Sequence, residues 1–335
     1  MASSSSGAGL HAFVRRGRAA LAALSRRSPR SRAVMARLGR ELSRAAGEGS
    51  GAIADPEHFY GGAYFGEGRD PSGDRQGLSG YATYDRVSSN ADVAGWVMWR
   101  NFGGAVRTLD VGTATGFVVE VLRELGVEAE GCDVSEYAVE HAAPGARGHL
   151  RVADLRTGLP WADRTFDLVS ALETLEHMPP SSIPAVVAEL TRVCRGFLYL
   201  TIPSFGPNDE AGPAGHYEGK VLSERVVHYQ ELGPDYDGPV PYEDLARDAR
   251  GEPVEGHLTI ASYRWWTERF AEAGCTRRPD VERRIYADIE PGTLVPYWNV
   301  YVFAVPGADE AVAAPRDPER TLVELGLRHP RFAVA

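Results

Sequence analysis

The pattern of hydrophobic and polar residues between positions 107 and 133 predicts a strand, a turn, a helix and a second strand, in that order. Residues 108–111 form a short apolar run that predicts a strand. Gly126 stands where the C-terminal end of a helix is expected, and residues 127–132 predict a second strand. Between these strands, apolar residues recur at helical spacing, at Phe117, Val118, Val121, Leu122 and Leu125. The pattern predicts a βαβ unit.

The same pattern continues along the chain and predicts an α/β fold. Further strands are predicted at residues 149–155, 166–172 and 197–202. Helices are predicted at residues 91–102, 135–144, 183–195 and 263–274, with Asn90, Ser135 and Ser181 or Ser182 as N-terminal caps. Residues 277–288 and 296–305 are interpreted as two strands of an antiparallel hairpin.

Composition and charge narrow the classes of function. The chain has 335 residues, of which 43% are hydrophobic and 9% aromatic, as is typical of a globular protein with a substantial core. Its net charge of −10 argues against a general nucleic-acid binder. Cys132, Cys194 and Cys275 show no paired spacing, so neither disulfides nor a zinc site is indicated. We expect a cytoplasmic protein without stable membrane insertion; the sequence leaves the oligomeric state open.

The chain divides into segments of different composition. Residues 1–50 are rich in arginine and serine and predict a flexible arm; organellar targeting and weak attachment to an anionic membrane are alternatives. Residues 51–104 are aromatic and glycine-rich and are interpreted as a lid with a helix. Tyr81, Tyr84 and Arg86 are its candidates for ligand contact, unless they pack the lid onto the domain. The main domain is expected at 105–305, followed by a tail at 306–335.

The turn after the first strand carries the strongest motif. It runs from Asp110 through Gly112 and Ala114 to Gly116, a G-x-A-x-G core preceded by an acid. Glycines at such a turn allow backbone to approach a ligand closely. The next strand delivers Asp133, whose carboxylate suits the two hydroxyls of a ribose. A dinucleotide or another nucleotide-type ligand could fit such a turn.

This motif resembles motif I of class I S-adenosylmethionine (SAM)-dependent methyltransferases, with Ala114 in place of the usual middle glycine. The resemblance covers about residues 80–305 and implies a Rossmann-like, doubly wound, seven-stranded sheet whose last strand is antiparallel. It also implies that Asp154 accepts a hydrogen bond from the adenine amino group and that the N–H of Leu155 reads the ring. The expected cofactor-binding residues are Asp110, Gly112, Ala114, Gly116, Asp133, Val134, Asp154, Leu155 and Glu173.

A second motif, Glu173-x-x-Glu176-His177, follows the fourth predicted strand, at the edge where open α/β sheets bind ligands. Its side chains could converge on one divalent ion, Mg²⁺ or, with a histidine, Mn²⁺, Fe²⁺ or Co²⁺. The string resembles those of ubiquinone-biosynthesis O-methyltransferases and of enzymes that methylate the terminal ribose of small RNAs. Both groups supply another histidine before the following helix, the place of His257. Alternatively, Glu176 and His177 act on the acceptor without a metal, and Glu173 contacts the cofactor.

The acceptor is the least constrained part of the prediction. Residues 203–256 form a long insertion rich in tyrosines and acids, interpreted as an acceptor lid, with His216 and His228 within it. We therefore expect methylation of a hydroxyl on a small sugar-like or phenolic metabolite. An N- or C-methyltransferase without metal, a dinucleotide-dependent oxidoreductase and a non-catalytic scaffold with this fold are the alternatives.

Overall fold

The computed structural model describes residues 60–62, 64–65, 84–205, 237–239, 256–289 and 299–316. The predicted arm at residues 1–50 and most of the insertion at 203–256 lie outside these ranges, as do Tyr81, His216 and His228. Within the described ranges, no helix has the length and apolar character needed to cross a membrane.

The described helices and strands alternate as the sequence predicts. The helices are α1 (Ala91–Asn101), α2 (Phe117–Glu124), α3 (Glu136–Glu140), α4 (Ile183–Val193), α5 (Tyr263–Glu272) and α6 (Pro279–Ile289). The strands are β1 (Arg107–Val111), β2 (Glu128–Asp133), β3 (Leu150–Val152), β4 (Phe166–Leu172), β5 (Cys194–Ile202), β6 (Ser204–Phe205), β7 (Ala261–Ser262), β8 (Thr276–Arg277) and β9 (Asn299–Ala304). Single turns of 3₁₀ helix occur at Pro144–Ala146, Leu175–His177, Pro180–Ser182 and Glu310–Ala313.

Seven strands form one sheet in the order β3-β2-β1-β4-β5-β9-β8. Strands β1 to β5 are parallel, and β9 is antiparallel to both β5 and β8. This arrangement confirms the prediction of a Rossmann-like α/β fold with a seven-stranded sheet and an antiparallel strand near its end. The strand order reverses between β1 and β4, so the connections that follow these two strands lead to opposite sides and a crevice for a ligand opens outside their carboxyl ends.

Helices cover both faces of the sheet. Helices α1, α2 and α6 pack on one face, against residues such as Phe197 and Tyr199 of β5. Helices α4 and α5 pack on the other, against Leu198 and Leu200 of the same strand. Successive residues of a strand point to opposite faces, which explains why β5 is apolar along almost its whole length. The two resulting cores hold the carboxyl ends of the strands in fixed positions.

Residues 277–288 correct the sequence interpretation, because they form helix α6 and not a strand. Val281 and Ile285 are four residues apart and fully buried, a spacing that places both on one face of a helix. Pro279 fits the first turn, where its missing N–H has no partner to lose. Only the short β8 before the helix is extended, and β9 confirms the second predicted strand.

The helix caps agree with prediction in part. Ser135 caps α3 by accepting a hydrogen bond from the N–H of Ala138, as predicted. The predicted cap at Asn90 is wrong, because this residue has a φ of 55° and its side chain makes no capping bond. Ser182 precedes α4 without a side-chain capping bond, since the preceding 3₁₀ turn already leads into the helix.

Candidate functional site

A cavity opens at the carboxyl ends of β1, β2, β3 and β4, next to the reversal of strand order. The empty space within it, including open solvent at its mouth, is about 950 Å³. The strand ends contribute one side, which we call the acidic wall: Gly112, Ala114, Asp133, Val134, Asp154 and Leu155. The other lining residues include Tyr60, Tyr64, Phe65, Tyr84, Glu173, Thr174, His177 and Met178.

Asp110 supports the turn of the first motif from behind. It is buried, and its carboxylate accepts hydrogen bonds from the hydroxyls of Thr113 (2.7 Å) and Ser170 (2.6 Å). Burial raises the pKa of Asp110 to about 6, although these two hydrogen bonds lower it. The residue is absent from the cavity lining, as is Gly116. Both residues of the predicted cofactor set therefore shape the turn from outside the cavity.

The glycine at position 112 is required by the chain itself. Its φ is 70°, and a Cβ there would overlap the side chain of Thr174 after β4. The hydroxyl of Thr174 also donates to the carbonyl groups of Val111 and Leu172. The ends of β1 and β4 are thus packed against each other, which couples the first motif to the second.

Asp133 is oriented by two backbone N–H groups. Its Oδ2 accepts from the N–H of Ala114 at 2.8 Å and its Oδ1 from the N–H of Ser135 at 2.9 Å. Ala114 has a φ of 51°, a conformation that costs a residue with a Cβ roughly 1–2 kcal/mol. This cost explains why related motifs usually have glycine at that position. The two N–H donors hold the carboxylate of Asp133 in place on the cavity wall.

Asp154 has a partner that the sequence analysis missed. Arg156 binds its carboxylate through both Nε (2.9 Å to Oδ1) and Nη2 (2.7 Å to Oδ2), and the N–H of Arg156 also donates to Oδ1. Burial would raise the pKa of Asp154, but the hydrogen bonds from Arg156 outweigh it and lower the pKa overall. An arginine two residues after a strand-end acid was the available signal. Arg156 also lines the cavity.

The second motif forms what we call the histidine cluster: Glu176, His177 and His257. One side-chain nitrogen or oxygen from each residue lies within 4.8 Å of the others. His177 Nε2 is 3.9 Å from Glu176 Oε1, and the two imidazole centroids are 4.9 Å apart, nearly perpendicular. The carbonyl of Glu176 accepts hydrogen bonds from the N–H groups of Leu258 and Thr259, which holds His257 beside the turn.

Glu173 lies outside this cluster, contrary to its predicted place among the metal ligands. It lines the cavity directly after β4, with a φ of 51° and a buried Oε1 that has no hydrogen-bond partner among the described residues. Its backbone N–H is held by the carbonyl of Thr201 at 2.9 Å. Contact of Glu173 with a ligand in the cavity stays a prediction.

The histidine cluster is electrostatically unlike the acidic wall. Glu176 is completely buried, and neither of its carboxylate oxygens has a hydrogen-bond partner among the described residues. Burial raises its pKa to about 8, and burial followed by the charge of Glu176 raises the pKa of Glu173 well above its usual range. Burial lowers the pKa of His177 to about 4, offset in part by the Gly256 carbonyl. Glu176 and His177 are therefore mainly neutral at pH 7.

Tyr60, Tyr64 and Phe65 also line the cavity. They belong to the segment interpreted as a lid, but the sequence did not single them out as candidates for ligand contact. The Tyr60 hydroxyl is 2.9 Å from His177 Nδ1, and Tyr64 packs edge-on against the Tyr60 ring. Tyr84 lines the cavity as proposed for the lid. Arg86 does not: its guanidinium pairs with three acids, Asp92, Glu120 and Glu124. The aromatic composition around residues 57–65 was the only signal.

Comparison with known proteins supports the resemblance in general terms. Residues 108–196 match the family described as a methyltransferase domain, and this range includes both motifs and the acidic wall. Together with the fold, the match supports a SAM-dependent methyltransferase. None of the curated proteins compared with the chain matches it significantly.

Solved structures with similar folds have low sequence identity. The PH0226 protein from Pyrococcus horikoshii OT3 is 14% identical over 65% of this chain and 91% of its own, with a TM-score of 0.42. A SAM-dependent methyltransferase from Methanosarcina mazei is 18% identical over 59% and 90%, with a TM-score of 0.38. Magnesium protoporphyrin IX methyltransferase from Synechocystis, with bound SAM, is 14% identical over 64% and 77%, with a TM-score of 0.36.

Proposed function

We propose that this protein is a SAM-dependent methyltransferase that methylates a hydroxyl group of a small sugar-like or phenolic metabolite. The observation that carries this proposal is a single cavity lined by Asp133 and Asp154 on its acidic wall and by His177 of the histidine cluster. A nucleoside ligand needs hydrogen-bond acceptors such as the carboxylates of Asp133 and Asp154. Deprotonation of a hydroxyl acceptor needs a group such as His177. The methyltransferase match covers all three residues.

The acidic wall supplies the groups that a nucleoside requires. Two N–H donors fix Asp133, so its carboxylate is ready to accept from the two ribose hydroxyls. A carboxylate offers about four acceptor positions, so Asp154 can hold Arg156 and still accept from an adenine amino group. SAM supplies a methyl group on a sulfonium, and the protein's contribution is to orient donor and acceptor.

The electrostatics of the histidine cluster favour metal assistance over a histidine base alone. A general base works best with a pKa near the working pH, whereas burial lowers the pKa of His177 to about 4. An imidazole that is neutral at pH 7 is a weak base but a good metal ligand. Glu176 has two buried oxygens without partners in the described chain, which suits a ligand that coordinates a cation.

The residues present fit a divalent transition metal. Glu176, His177 and His257 offer one carboxylate and two imidazoles, a donor set that favours Mn²⁺, Fe²⁺ or Co²⁺ over Mg²⁺. A bound cation would lower the pKa of an acceptor hydroxyl. Its binding must release the Glu176 proton, because the pKa of that carboxyl is about 8, so metal affinity is expected to rise with pH up to that value.

The first test is calorimetry with S-adenosylhomocysteine, SAM and NAD on the same preparation. We expect the two sulfur nucleosides to bind and NAD not to bind. Methyl transfer from labelled SAM is then assayed against a panel of phenols, sugars, amines and carbon acceptors, read by mass spectrometry. Product from hydroxyl acceptors supports the proposal. Binding of NAD alone, or product from amines only, would contradict it.

A second test addresses the metal separately. The protein is treated with EDTA and then supplied with Mn²⁺ or Mg²⁺. We expect turnover to fall and to return more fully with Mn²⁺. Turnover unaffected by EDTA would exclude the metal while leaving the methyltransferase proposal intact.

A further inference from the structure

Among the described residues, Arg156 supplies every hydrogen bond that the carboxylate of Asp154 accepts. The backbone N–H of Arg156 donates to Oδ1 at 2.9 Å. The side-chain Nε donates to Oδ1 at 2.9 Å and, more weakly, to Oδ2 at 3.1 Å, and Nη2 donates to Oδ2 at 2.7 Å. The guanidinium thus binds both carboxylate oxygens side by side. This two-point contact fixes the plane of the carboxylate as well as its position.

These bonds leave one acceptor position on the carboxylate of Asp154. Each carboxylate oxygen can accept about two hydrogen bonds. Oδ1 receives the backbone N–H and the Nε–H of Arg156, so both of its positions are taken. Oδ2 receives Nη2 at short distance and keeps one position open. Since Asp154 lines the cavity, a single N–H donor of a bound ligand can be accepted at Oδ2.

We propose that Arg156 is a positioning residue that orients Asp154 to accept one hydrogen bond from the amino group of adenine. It thereby sets how strongly the cavity selects adenine over a purine that lacks this group. The inference rests on the proposed function, in which a sulfur nucleoside binds along the acidic wall. Arg156 acts through Asp154 and not through its own contact with the base.

Two physical effects make the Asp154 carboxylate depend on its partner. A side chain that is free before binding must be ordered by the ligand, which lowers affinity by roughly 2- to 12-fold. Burial acts to raise the pKa of Asp154, but the hydrogen bonds from Arg156 outweigh it and lower the pKa overall, so the carboxyl stays ionised. An ionised carboxylate only accepts hydrogen bonds, as an amino group requires of its partner.

The test is calorimetry of the full chain at pH 7.5 with S-adenosylhomocysteine and with the analogue in which unsubstituted purine replaces adenine. The ratio of the two affinities measures the contribution of the amino group and cancels effects common to both ligands, such as a general loss of structure. Arg156→Met keeps a long side chain but removes its donors. Arg151→Met is the matched control, because Arg151 lies on β3, which leads to Asp154, is half-exposed and is absent from the cavity lining.

We expect the wild type and Arg151→Met to prefer S-adenosylhomocysteine by about 10- to 100-fold, as for a hydrogen bond to a charged group. Arg156→Met should reduce this preference by roughly 2- to 12-fold, the effect of ordering a free side chain. In an Asp154→Ala background, which lacks the carboxylate, Arg156→Met should leave the preference unchanged.

Two results would overturn the inference while leaving the proposed function intact. One is an unchanged affinity ratio in Arg156→Met, including the case in which both ligands bind more weakly by the same factor. The other is a change of the ratio on adding Arg156→Met to Asp154→Ala, which would mean that Arg156 contacts the base directly. Failure of the wild type to bind either ligand would contradict the proposed function and this inference together.

Discussion

The acidic wall and the histidine cluster both contain carboxyl side chains, but the two regions differ in whether those carboxyls have hydrogen-bond donors. On the wall, Asp133 and Asp154 each accept hydrogen bonds from neighbouring backbone or side-chain donors. In the cluster, Glu176 is more deeply buried, yet its oxygens have no donor among the described residues. The carboxylates of the wall are therefore satisfied as the chain folds, whereas Glu176 is buried without a donor among the described residues, at a cost in stability.

Replacing buried glutamates is the strongest way to test this difference. Glu282 is as buried as Glu176, but it pairs with Arg277 at 2.8 Å and accepts from the N–H of Val302. Glu282→Leu leaves Arg277 without its buried partner and is expected to lower the free energy of unfolding by about 3–5 kcal/mol. Glu176→Leu removes a carboxylate without donors and is expected to cost far less, while abolishing Mn²⁺ binding.

Urea unfolding in EDTA measures both stabilities, and calorimetry measures Mn²⁺ binding. If Glu176→Leu destabilised the protein as much as Glu282→Leu, the carboxylate of Glu176 would have structural partners and the contrast between the two regions would be wrong. Retention of full Mn²⁺ affinity in Glu176→Leu would remove this residue from the proposed ligands.

The pH dependence of stability is the next test. The folded protein keeps the Glu176 proton up to about pH 8, whereas an unfolded glutamate loses it near its ordinary pKa of 4.5. Between these values the unfolded state binds fewer protons, so the free energy of unfolding should fall as pH rises, by a few kcal/mol. Glu173 and Asp110, whose pKa values are also raised, act in the same direction. The lowered pKa of His177 opposes them below the ordinary histidine pKa of 6.5, where the unfolded state binds the extra proton.

This slope is measured in EDTA by urea unfolding between pH 5 and 8.5. Glu176→Leu should flatten the decline, since it removes one of the three contributing carboxyl groups. A wild-type stability that rises between pH 6.5 and 8, above the range in which His177 contributes, would contradict a protonated Glu176 in the folded state.

On the acidic wall, loss of a carboxylate should affect binding more than folding. Asp133→Ala removes the proposed acceptor of two ribose hydrogen bonds, and we expect affinity for S-adenosylhomocysteine to fall about 100-fold, consistent with hydrogen bonds to a charged group. Asp163→Ala is the control, because Asp163 is an exposed acid paired with Arg192, outside the cavity lining. Calorimetry with unchanged affinity in Asp133→Ala would contradict the nucleoside role of the wall.

The sequence predicted correctly the features that depend on residues close together in the chain. The βαβ unit and the turn at Gly112 follow from residues adjacent in the chain. The strand predicted at 277–288 was wrong, since the burial of Val281 and Ile285 on one helix face outweighed the apparent extended pattern. The approach of Tyr60 to His177 joins residues 117 positions apart, and no spacing rule brings such a pair together.

The smallest expected effect concerns strain on the acidic wall itself. Ala114 holds a φ of 51°, at which a Cβ is unfavourable and glycine is not. Ala114→Gly keeps the N–H that donates to Asp133. It relieves the strain of the folded state, which stabilises the protein, but it also increases the conformational freedom of the unfolded chain, which offsets part of that gain. We expect a net gain of about 0.5–1 kcal/mol in the free energy of unfolding. Ala138→Gly, within helix α3, should instead lose about 1 kcal/mol. Equal losses in both variants would show that Ala114 is not strained, and that its place in the turn depends on contacts made by its methyl group.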